Sequence, residues 1–361
     1  MKNCPKCLGG VENYKYVCHS PGCKGAGIPA QSNEEGATTG SSPACEQCGE
    51  VMSLRVCPDC GFEMEAGELL RELLPVTIIG SSGCGKSNFI AVMIDQLRSQ
   101  MCKVYGCTLY PTGGDRTMDY YAREYRRPLY EQGVCVPTTE QEDINPLTYT
   151  LLFADEKGKG GSKSVGLAFY DSCGKKLENQ HDMSAHNRSL YSSGGILFLL
   201  DPSQLPLIKE ARKAGKMPIV ASDTQELLLR MVHLIRTGLS VPDGKKIDIP
   251  IAVCLTKLDT LSPHLDPASL VGDSTRHLSR PMLNAADLSG CNLEVQSLFE
   301  SWGGGEIVRH VRSQFANYSF FGISSLGGQP GSQNEVVRVN PHRVLDPLLW
   351  LLWKKQILKV G

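Results

Sequence analysis

The chain has 361 residues, of which 41% are hydrophobic and 21% are charged, so it can build two or three domains with buried cores. Its 37 basic and 38 acidic side chains give a formal net charge of −1, which excludes a chain-wide attraction to nucleic acid or anionic lipid. The polar start MKNCPKC lacks the apolar segment of a secretory signal, and the longest apolar runs are too short to span a bilayer. We therefore expect a cytoplasmic protein without membrane insertion.

The first sixty residues contain eight of the fifteen cysteines, arranged as four close pairs. In a reducing compartment, such pairs bind metal more often than they form disulfides. We predict two consecutive zinc ribbons, residues 1–25 and 44–64, each with a tetrahedral site of four thiolates and one structural Zn²⁺. The predicted ligands are Cys4, Cys7, Cys18 and Cys23 in the first ribbon and Cys45, Cys48, Cys57 and Cys60 in the second. His19 is an alternative ligand to Cys18.

Residues 26–43 are rich in Gly, Ser and Thr, which predicts a flexible linker between the ribbons, and residues 65–74 are predicted to form a short helical connector. Neither ribbon is large enough to bury a core, so metal binding must supply its folding free energy. Because the ribbons lack a basic stripe with interleaved aromatic residues, they favour contact with a partner protein over nucleic acid.

From residue 75 to the end, apolar strands alternate with amphipathic helices. This pattern predicts an α/β domain with a mostly parallel sheet flanked by helices. The predicted strands are 76–79, 165–170, 195–200, 249–255 and 318–323, and the predicted helices are 86–100, 116–125, 224–237, 305–315 and 346–358. Residues 101–145 and 262–291 are predicted insertions.

A phosphate-binding loop follows the first of these strands. The octapeptide Gly80, Ser81, Ser82, Gly83, Cys84, Gly85, Lys86 and Ser87 matches G-x4-G-K-[ST] between a predicted strand and a predicted helix. Glycines let backbone N–H groups turn toward phosphate, Lys86 can reach its oxygens, and the Ser87 hydroxyl can bind Mg²⁺. The motif predicts a P-loop nucleotide-binding domain.

Two acidic strand ends are candidates for the acidic group that acts beside the phosphate-binding loop. Asp155 and Glu156 follow an apolar run and resemble the strand end that carries the catalytic glutamate of many ATPases, whereas Asp171 and Gly174 resemble the DxxG of GTPases. In DxxG, the aspartate holds Mg²⁺ through water and the glycine amide senses the γ-phosphate. On the GTPase interpretation, 147–154 is an antiparallel edge strand paired with 165–170.

Later residues favour guanine. After the strand 249–255 come Thr256, Lys257 and Asp259 of a TKxD motif. Its carboxylate can accept hydrogen bonds from guanine N1–H and the 2-amino group, a donor pair that adenine lacks. The loop Ser324, Ser325 and Leu326 follows the last strand, where GTPases contact guanine O6. Asp201, after the strand 195–200, is interpreted as the start of a helical turn without a metal role.

In this order, the motifs resemble those of the translation-factor-related GTPases, especially Ras-, Arf- and Era-like domains, over residues 75–361. They are most similar to the double-GTPase-type domains of bacterial conflict systems, in which a zinc ribbon precedes the domain and a Trp-containing helix ends it. That resemblance implies a role in defence or stress signalling with partner proteins. Trp350 and Trp353 stand at i and i+3, which predicts core packing.

The resemblance also implies a catalytic set of Lys86, Thr138, Gly174 and Gln180, and Mg²⁺ held by Ser87, Thr138 and Asp171. Thr139 and Thr112 are rivals of Thr138. Lys175 stands where Ras has the glutamine that orients water, and Asn179 or His181 are alternatives to Gln180. We predict a slow GTPase that acts as a switch, with an ATPase using Glu156 and a non-catalytic nucleotide-binding scaffold as alternatives.

Overall fold

The computed structural model describes the chain except for residues 1–2, 11–13, 19, 24–27, 30–42, 53, 66–71, 113–114, 138–145, 155–162, 174–184, 209–223, 267, 274–277 and 279. Within that part, no helix is both long and apolar enough to cross a membrane.

The strands are β1 Lys15–Val17, β2 Ile28–Pro29, β3 Leu54–Val56, β4 Glu63–Glu65, β5 Glu72–Gly80, β6 Cys107–Pro111, β7 Leu147–Phe153, β8 Ser164–Cys173, β9 Gly195–Leu200, β10 Ile251–Leu255 and β11 Tyr318–Gly322. The helices are α1 Lys86–Gln96, α2 Cys102–Tyr105, α3 Asp115–Tyr121, α4 Ala185–Tyr191, α5 Thr224–Gly238, α6 Ala285–Ser301, α7 Gly305–Gln314 and α8 Asp346–Lys354. A π-helical turn, Leu97–Met101, joins α1 to α2, and a π-helical segment, Ala122–Glu131, prolongs α3.

The large sheet has seven strands in the order β11-β10-β9-β5-β8-β7-β6. β11, β10, β9, β5 and β8 are parallel, and β7 runs antiparallel to both β8 and β6. The predicted α/β class and the pairing of β7 with β8 are therefore confirmed. The prediction that β7 forms the edge is wrong, because β6 pairs with its outer side from within the predicted insertion 101–145.

Helices cover both faces of this sheet because successive strand residues point to opposite sides. On one face, Val76 and Ile78 of β5 belong to a core that includes buried residues of α1 and α8. On the other, Ile79 joins α5, α6 and α7. The predicted core position is confirmed for Trp350, which is 3% exposed and whose ring centroid lies 5.9 Å from that of Phe321 in an edge-to-face contact. Trp353 is half-buried and packs against the same core.

The N-terminal part forms one small sheet of four antiparallel strands, in the order β2-β1-β3-β4. Pairing of β1 with β3, with Lys15 opposite Val56, joins the two predicted ribbons into one unit. We call β1–β4 and their cysteine loops the zinc module, after the ions predicted for it. Within the predicted linker, Ile28 and Pro29 form β2 rather than unstructured chain, whereas residues 30–42 lie outside the described part.

Two further predicted segments differ from the observed secondary structure. The predicted helical connector 65–74 begins on the last residue of β4 and ends on the first residues of β5, with 66–71 outside the described part. The predicted insertion 262–291 overlaps α6, which begins where the Asn284 side chain caps the Asp287 N–H at 3.1 Å. That cap and the apolar spacing after it are helix signals that could have been recognised.

Candidate functional site

The phosphate-binding loop connects β5 to α1 and is held tightly against β9. Gly83 and Gly85 adopt φ values of 77° and 92°, which favour glycine. A Cβ on Gly80 would lie 2.5 Å from the carbonyl oxygen of Leu199, so only glycine fits there. The Lys86 ammonium donates hydrogen bonds to the carbonyl oxygens of Gly80 and Ser81, at 2.8 and 3.2 Å. The loop thus has the shape and the cation that phosphate binding needs.

The TKxD segment lies directly against this loop. The Thr256 hydroxyl is 2.9 Å from the carbonyl oxygen of Cys84 and 3.1 Å from that of Leu200. The Lys257 ammonium donates to the carbonyl oxygen of Gly83 at 2.9 Å. Two motifs about 170 residues apart in sequence therefore meet at the same edge of the sheet, where the parallel strands β5, β9 and β10 end.

The next loop along this edge completes the predicted base-binding region. The Ser324 hydroxyl donates to Asp259 Oδ1, and the N–H of Gly327 donates to Ser324 Oγ at 2.9 Å. Ser325 and Leu326 are half-buried beside them. Because β10 and β11 are parallel and in register from Ile251 to Leu255, both predicted base-binding segments leave the sheet side by side. The geometry thus brings together the predicted residues of both segments.

Asp171 lies on the strand beside the phosphate-binding strand. It is half-buried and stands opposite Ile78 of β5. Alternation along β8 puts it on the same face as Leu167 and Phe169, which pack in the core that includes α1. Ser87 lies in the first turn of α1 on that face. Burial is the main cause that raises the pKa of Tyr120 in α3, and the negative charges of Glu124 and Asp171 raise it further.

Several predicted site residues lie outside the described part of the chain, namely Thr138, Thr139, Gly174, Lys175, Asn179, Gln180 and His181. The chain leading to Thr138 is nevertheless anchored, since the Val136 N–H donates to Asn88 Oδ1 at 2.9 Å, one residue after Ser87. The rival Thr112 is buried, and its hydroxyl is 3.1 Å from that of Thr150. Thr112 is therefore part of the sheet edge rather than a free metal ligand.

The strand leading to Glu156 does not favour the ATPase alternative. Leu152 of β7 pairs with Ser164, and Val165 is level with Glu72, the first residue of β5. Gly80 lies eight residues farther along β5, about 26 Å away. Phe153 therefore lies at the opposite end of the sheet from the P-loop. Glu156 itself lies outside the described part of the chain.

The cysteines form two clusters, but not within the predicted ribbons. Cys4, Cys7, Cys57 and Cys60 form one cluster and Cys18, Cys23, Cys45 and Cys48 the other, with the four sulfur atoms of each cluster within 4.8 Å of one another. Each cluster takes one CxxC or CxxxxC pair from each predicted ribbon, so the tandem grouping is wrong. The physical reason is the pairing of β1 with β3, which brings the two halves together. Cys18 belongs to a cluster, and the alternative ligand His19 lies outside the described part.

The sulfur geometry of both clusters fits a tetrahedral metal ion. The shortest Sγ–Sγ distances run from 3.4 to 3.7 Å. A zinc ion with Zn–S bonds of about 2.3 Å requires sulfur atoms about 3.8 Å apart, whereas a disulfide requires about 2.05 Å. Burial raises the pKa of the Cys4 thiol to about 11, so a cation must displace protons there at neutral pH.

The zinc module packs against the large sheet rather than being separate from it. Leu8 contacts Ala168 and Tyr170 of β8, and the Tyr170 hydroxyl donates to the carbonyl oxygen of Pro5, between two cysteines of the first cluster. Arg116 of α3 pairs with Glu63 at 3.1 Å. The module thus reaches the residue that directly precedes Asp171.

The crossed clusters give a prediction for paired cysteine variants. We expect two zinc ions per chain. Replacing Cys4 and Cys18 by serine removes one ligand from each cluster, so both ions should be lost. Replacing Cys4 and Cys57 affects a single cluster, so one ion should stay. Tandem ribbons require the reverse result, one ion in the first variant and none in the second. Elemental analysis of the purified proteins distinguishes the two arrangements.

Comparison with known proteins gives one distant full-length relative. No family model matches the chain. It is 22% identical over 400 residues to SaeC of Mycolicibacterium smegmatis, provisionally named as an ESX-1 scaffolding and assembly protein, and the alignment covers 97% of this chain and 98% of SaeC.

Among solved structures, the chain is similar to the GDP-bound Roco2 RocCORdC of Methanosarcina barkeri (15% identity, TM-score 0.29, 80% of this chain and 50% of that one). It is also similar to the elongation factor SelB of Methanococcus maripaludis (11%, 0.31, 81% and 35%) and to the GTP-bound Ski7 GTPase-like domain of S. cerevisiae (12%, 0.36, 82% and 54%). The chain spans between about a third and about half of these structures.

Proposed function

We propose that this protein is a GTP-binding molecular switch whose zinc module contacts a partner protein. The observation that supports this most directly is the meeting of the two motifs, with Lys257 on the phosphate-binding loop and Asp259 bonded to Ser324 at the same edge of the sheet. A P-loop alone fits any nucleotide. A carboxylate beside it, matched to the guanine donor pair, favours GTP.

The roles of the phosphate-binding residues follow from their positions. The loop 80–87 would hold the phosphates, with Lys86 exchanging its present carbonyl contacts for phosphate oxygens. Ser87, Asp171 and Thr138 would hold Mg²⁺, which neutralises charge on the transferred phosphoryl group. Thr138 and Gly174 would mark the two segments that become ordered with GTP and are released after hydrolysis. The bond from Val136 to Asn88 supports the first assignment, since it attaches that chain next to Ser87.

The zinc module would supply the partner contact. Four thiolates per ion leave no open coordination position, so zinc here would be structural. The relative SaeC suggests that the partner belongs to a multiprotein assembly, with GTP state deciding when this chain joins it. The bacterial defence context stays a prediction, since the comparisons above do not bear on it.

Intrinsic hydrolysis is expected to be slow. Lys175 stands at the position where Ras has the glutamine that orients the attacking water. A protonated lysine cannot accept a proton from that water, so it cannot replace the glutamine. In single-turnover measurements, the isolated protein should hydrolyse GTP at about 10⁻⁴–10⁻³ s⁻¹ or below, the rate of Ras without a partner. Gln180→Ala should lower this rate further if Gln180 positions the water.

A rate of about 1 s⁻¹ or faster would contradict the slow-switch proposal, and Lys175→Ala and Gln180→Ala would then locate the catalytic group. GTP binding with no hydrolysis, alone or with the partner, would instead identify the non-catalytic scaffold.

A further inference from the structure

Asp201 lies beside the nucleotide site, and the functions assigned above do not use it. It follows β9 directly and its residue is 8% exposed. Oδ1 accepts a hydrogen bond from the Ser203 N–H at 2.8 Å, which confirms the predicted helical turn. Oδ2 accepts one from the Lys257 ammonium at 2.6 Å. The sequence interpretation captured the first contact and missed the second.

Lys257 needs this support because little else restrains it. Its backbone has φ 53°, a conformation that non-glycine residues seldom adopt. Its side chain is 42% exposed, so packing alone does not fix the long flexible stem. The ammonium has two fixed acceptors, Gly83 O at 2.9 Å and the Asp201 carboxylate. Together they stretch the side chain across the phosphate-binding loop.

The Asp201 carboxyl group is ionised at neutral pH and can therefore pair with the Lys257 ammonium. Burial alone would raise the pKa of its carboxyl group, but the nearby Lys257 charge and the Ser203 N–H outweigh burial and lower the pKa below its usual value. The ion pair therefore keeps both charges. Removing Lys257 alone would leave a buried negative charge next to the loop that has to accept phosphate.

We propose that Asp201 is a positioning residue of the nucleotide site, which fixes Lys257 across the phosphate-binding loop so that the lysine stem can cover the base and ribose. The proposal rests on the function proposed above. It assigns Asp201 an effect on nucleotide affinity exerted through Lys257, without contact between Asp201 and the nucleotide.

A double-mutant cycle tests this coupling, with a fluorescent GDP analogue as the probe. Asp201→Asn keeps the bond to the Ser203 N–H but removes the charge, and we expect about tenfold weaker binding. Lys257→Ala should weaken binding more. Asp201→Asn added to Lys257→Ala should cause no further loss and should restore part of the affinity, because it removes the uncompensated carboxylate. If Asp201 acted on folding alone, the two losses of affinity would be independent, and the loss in the double variant would equal their product.

The matched control is Asp266→Asn. Asp266 makes the same local contact, because its Oδ1 accepts a hydrogen bond from the Ala268 N–H at 2.7 Å. Unlike Asp201, it is exposed, and Ala268 is not a residue of the proposed nucleotide site. Its variant should bind within twofold of the unmodified protein. Should Asp201→Asn fail to fold, Asp201→Glu, which keeps the charge but shifts the carboxylate by a methylene group, should bind GDP at least fivefold more weakly.

Unchanged GDP affinity in a folded Asp201 variant, or multiplied losses in the double variant, would overturn the positioning role. These outcomes are separate from failure of the proposed function. If the unmodified protein does not bind GDP at all, the function fails before any variant is compared, and Asp201 then has no nucleotide-positioning role.

Discussion

Lys86→Ala is expected to weaken GDP binding by a hundredfold or more while leaving two zinc ions per chain. In the structure, the Lys86 ammonium is held by the carbonyl oxygens of Gly80 and Ser81, where it would meet the phosphate oxygens. Removing one partner of such a charged, hydrogen-bonded pair costs about 2–5 kcal/mol. Titration with a fluorescent GDP analogue and elemental analysis of the same preparation measure both quantities.

Lys246→Ala is the matched control. The Lys246 ammonium also donates to a carbonyl oxygen at 2.8 Å, that of Arg312 on α7, but this contact is exposed. It should bind GDP normally. Unchanged GDP binding in Lys86→Ala would contradict the P-loop assignment. Loss of zinc together with nucleotide would show that the docking of Leu8 and Pro5 on β8 makes the zinc module and the nucleotide site one cooperative unit.

Asp259→Asn is expected to weaken GTP binding by at least about a hundredfold and to improve binding of xanthosine triphosphate. In the proposed site, the carboxylate would accept two hydrogen bonds from guanine, and each bond to a charged group contributes about 1.5–3 kcal/mol. Asparagine replaces one acceptor by a donor, which matches the extra oxygen of xanthine. The Ser324 hydroxyl bonded to Oδ1 holds the side chain at the base-binding edge.

Competition between GTP and xanthosine triphosphate measures this switch. The exposed Asp248, just before β10, provides the control, since Asp248→Asn should leave both affinities unchanged. If Asp259→Asn retained full GTP affinity and gained none for the xanthine nucleotide, the TKxD assignment would be wrong even with the P-loop intact.

The sequence predicted which segments meet at this edge of the sheet, because each of them follows an apolar strand. The ends of parallel strands meet at one edge, so the loop after β5 and the segment after β10 had to lie close together. Their bond lengths were not predictable. In particular, neither the contact between Asp201 and Lys257 nor the positive φ of Lys257 is visible in a Thr-Lys-Leu-Asp pattern.

The eight cysteines of the two clusters were predicted as ligands, but their division between the two clusters was not. Spacing within each cysteine pair is local and identifies the ligand turns. Which turns share an ion depends on the pairing of Lys15 with Val56, about forty residues apart, and either grouping satisfies the local spacing. The contact of Leu8 with β8 was also missed, because it joins residues far apart in sequence. A single leucine after a CxxC pair has no hydrophobic periodicity that would predict its burial.

The measurement that tests the central proposal most directly is the equilibrium affinity of the unmodified protein for GTP and for ATP, determined by competition in the presence of Mg²⁺. Because Asp259 can pair with the guanine donors but faces no such donors in adenine, GTP should bind at least a hundredfold more tightly. Equal affinities for the two nucleotides would contradict the assignment of this protein as a guanine-nucleotide switch.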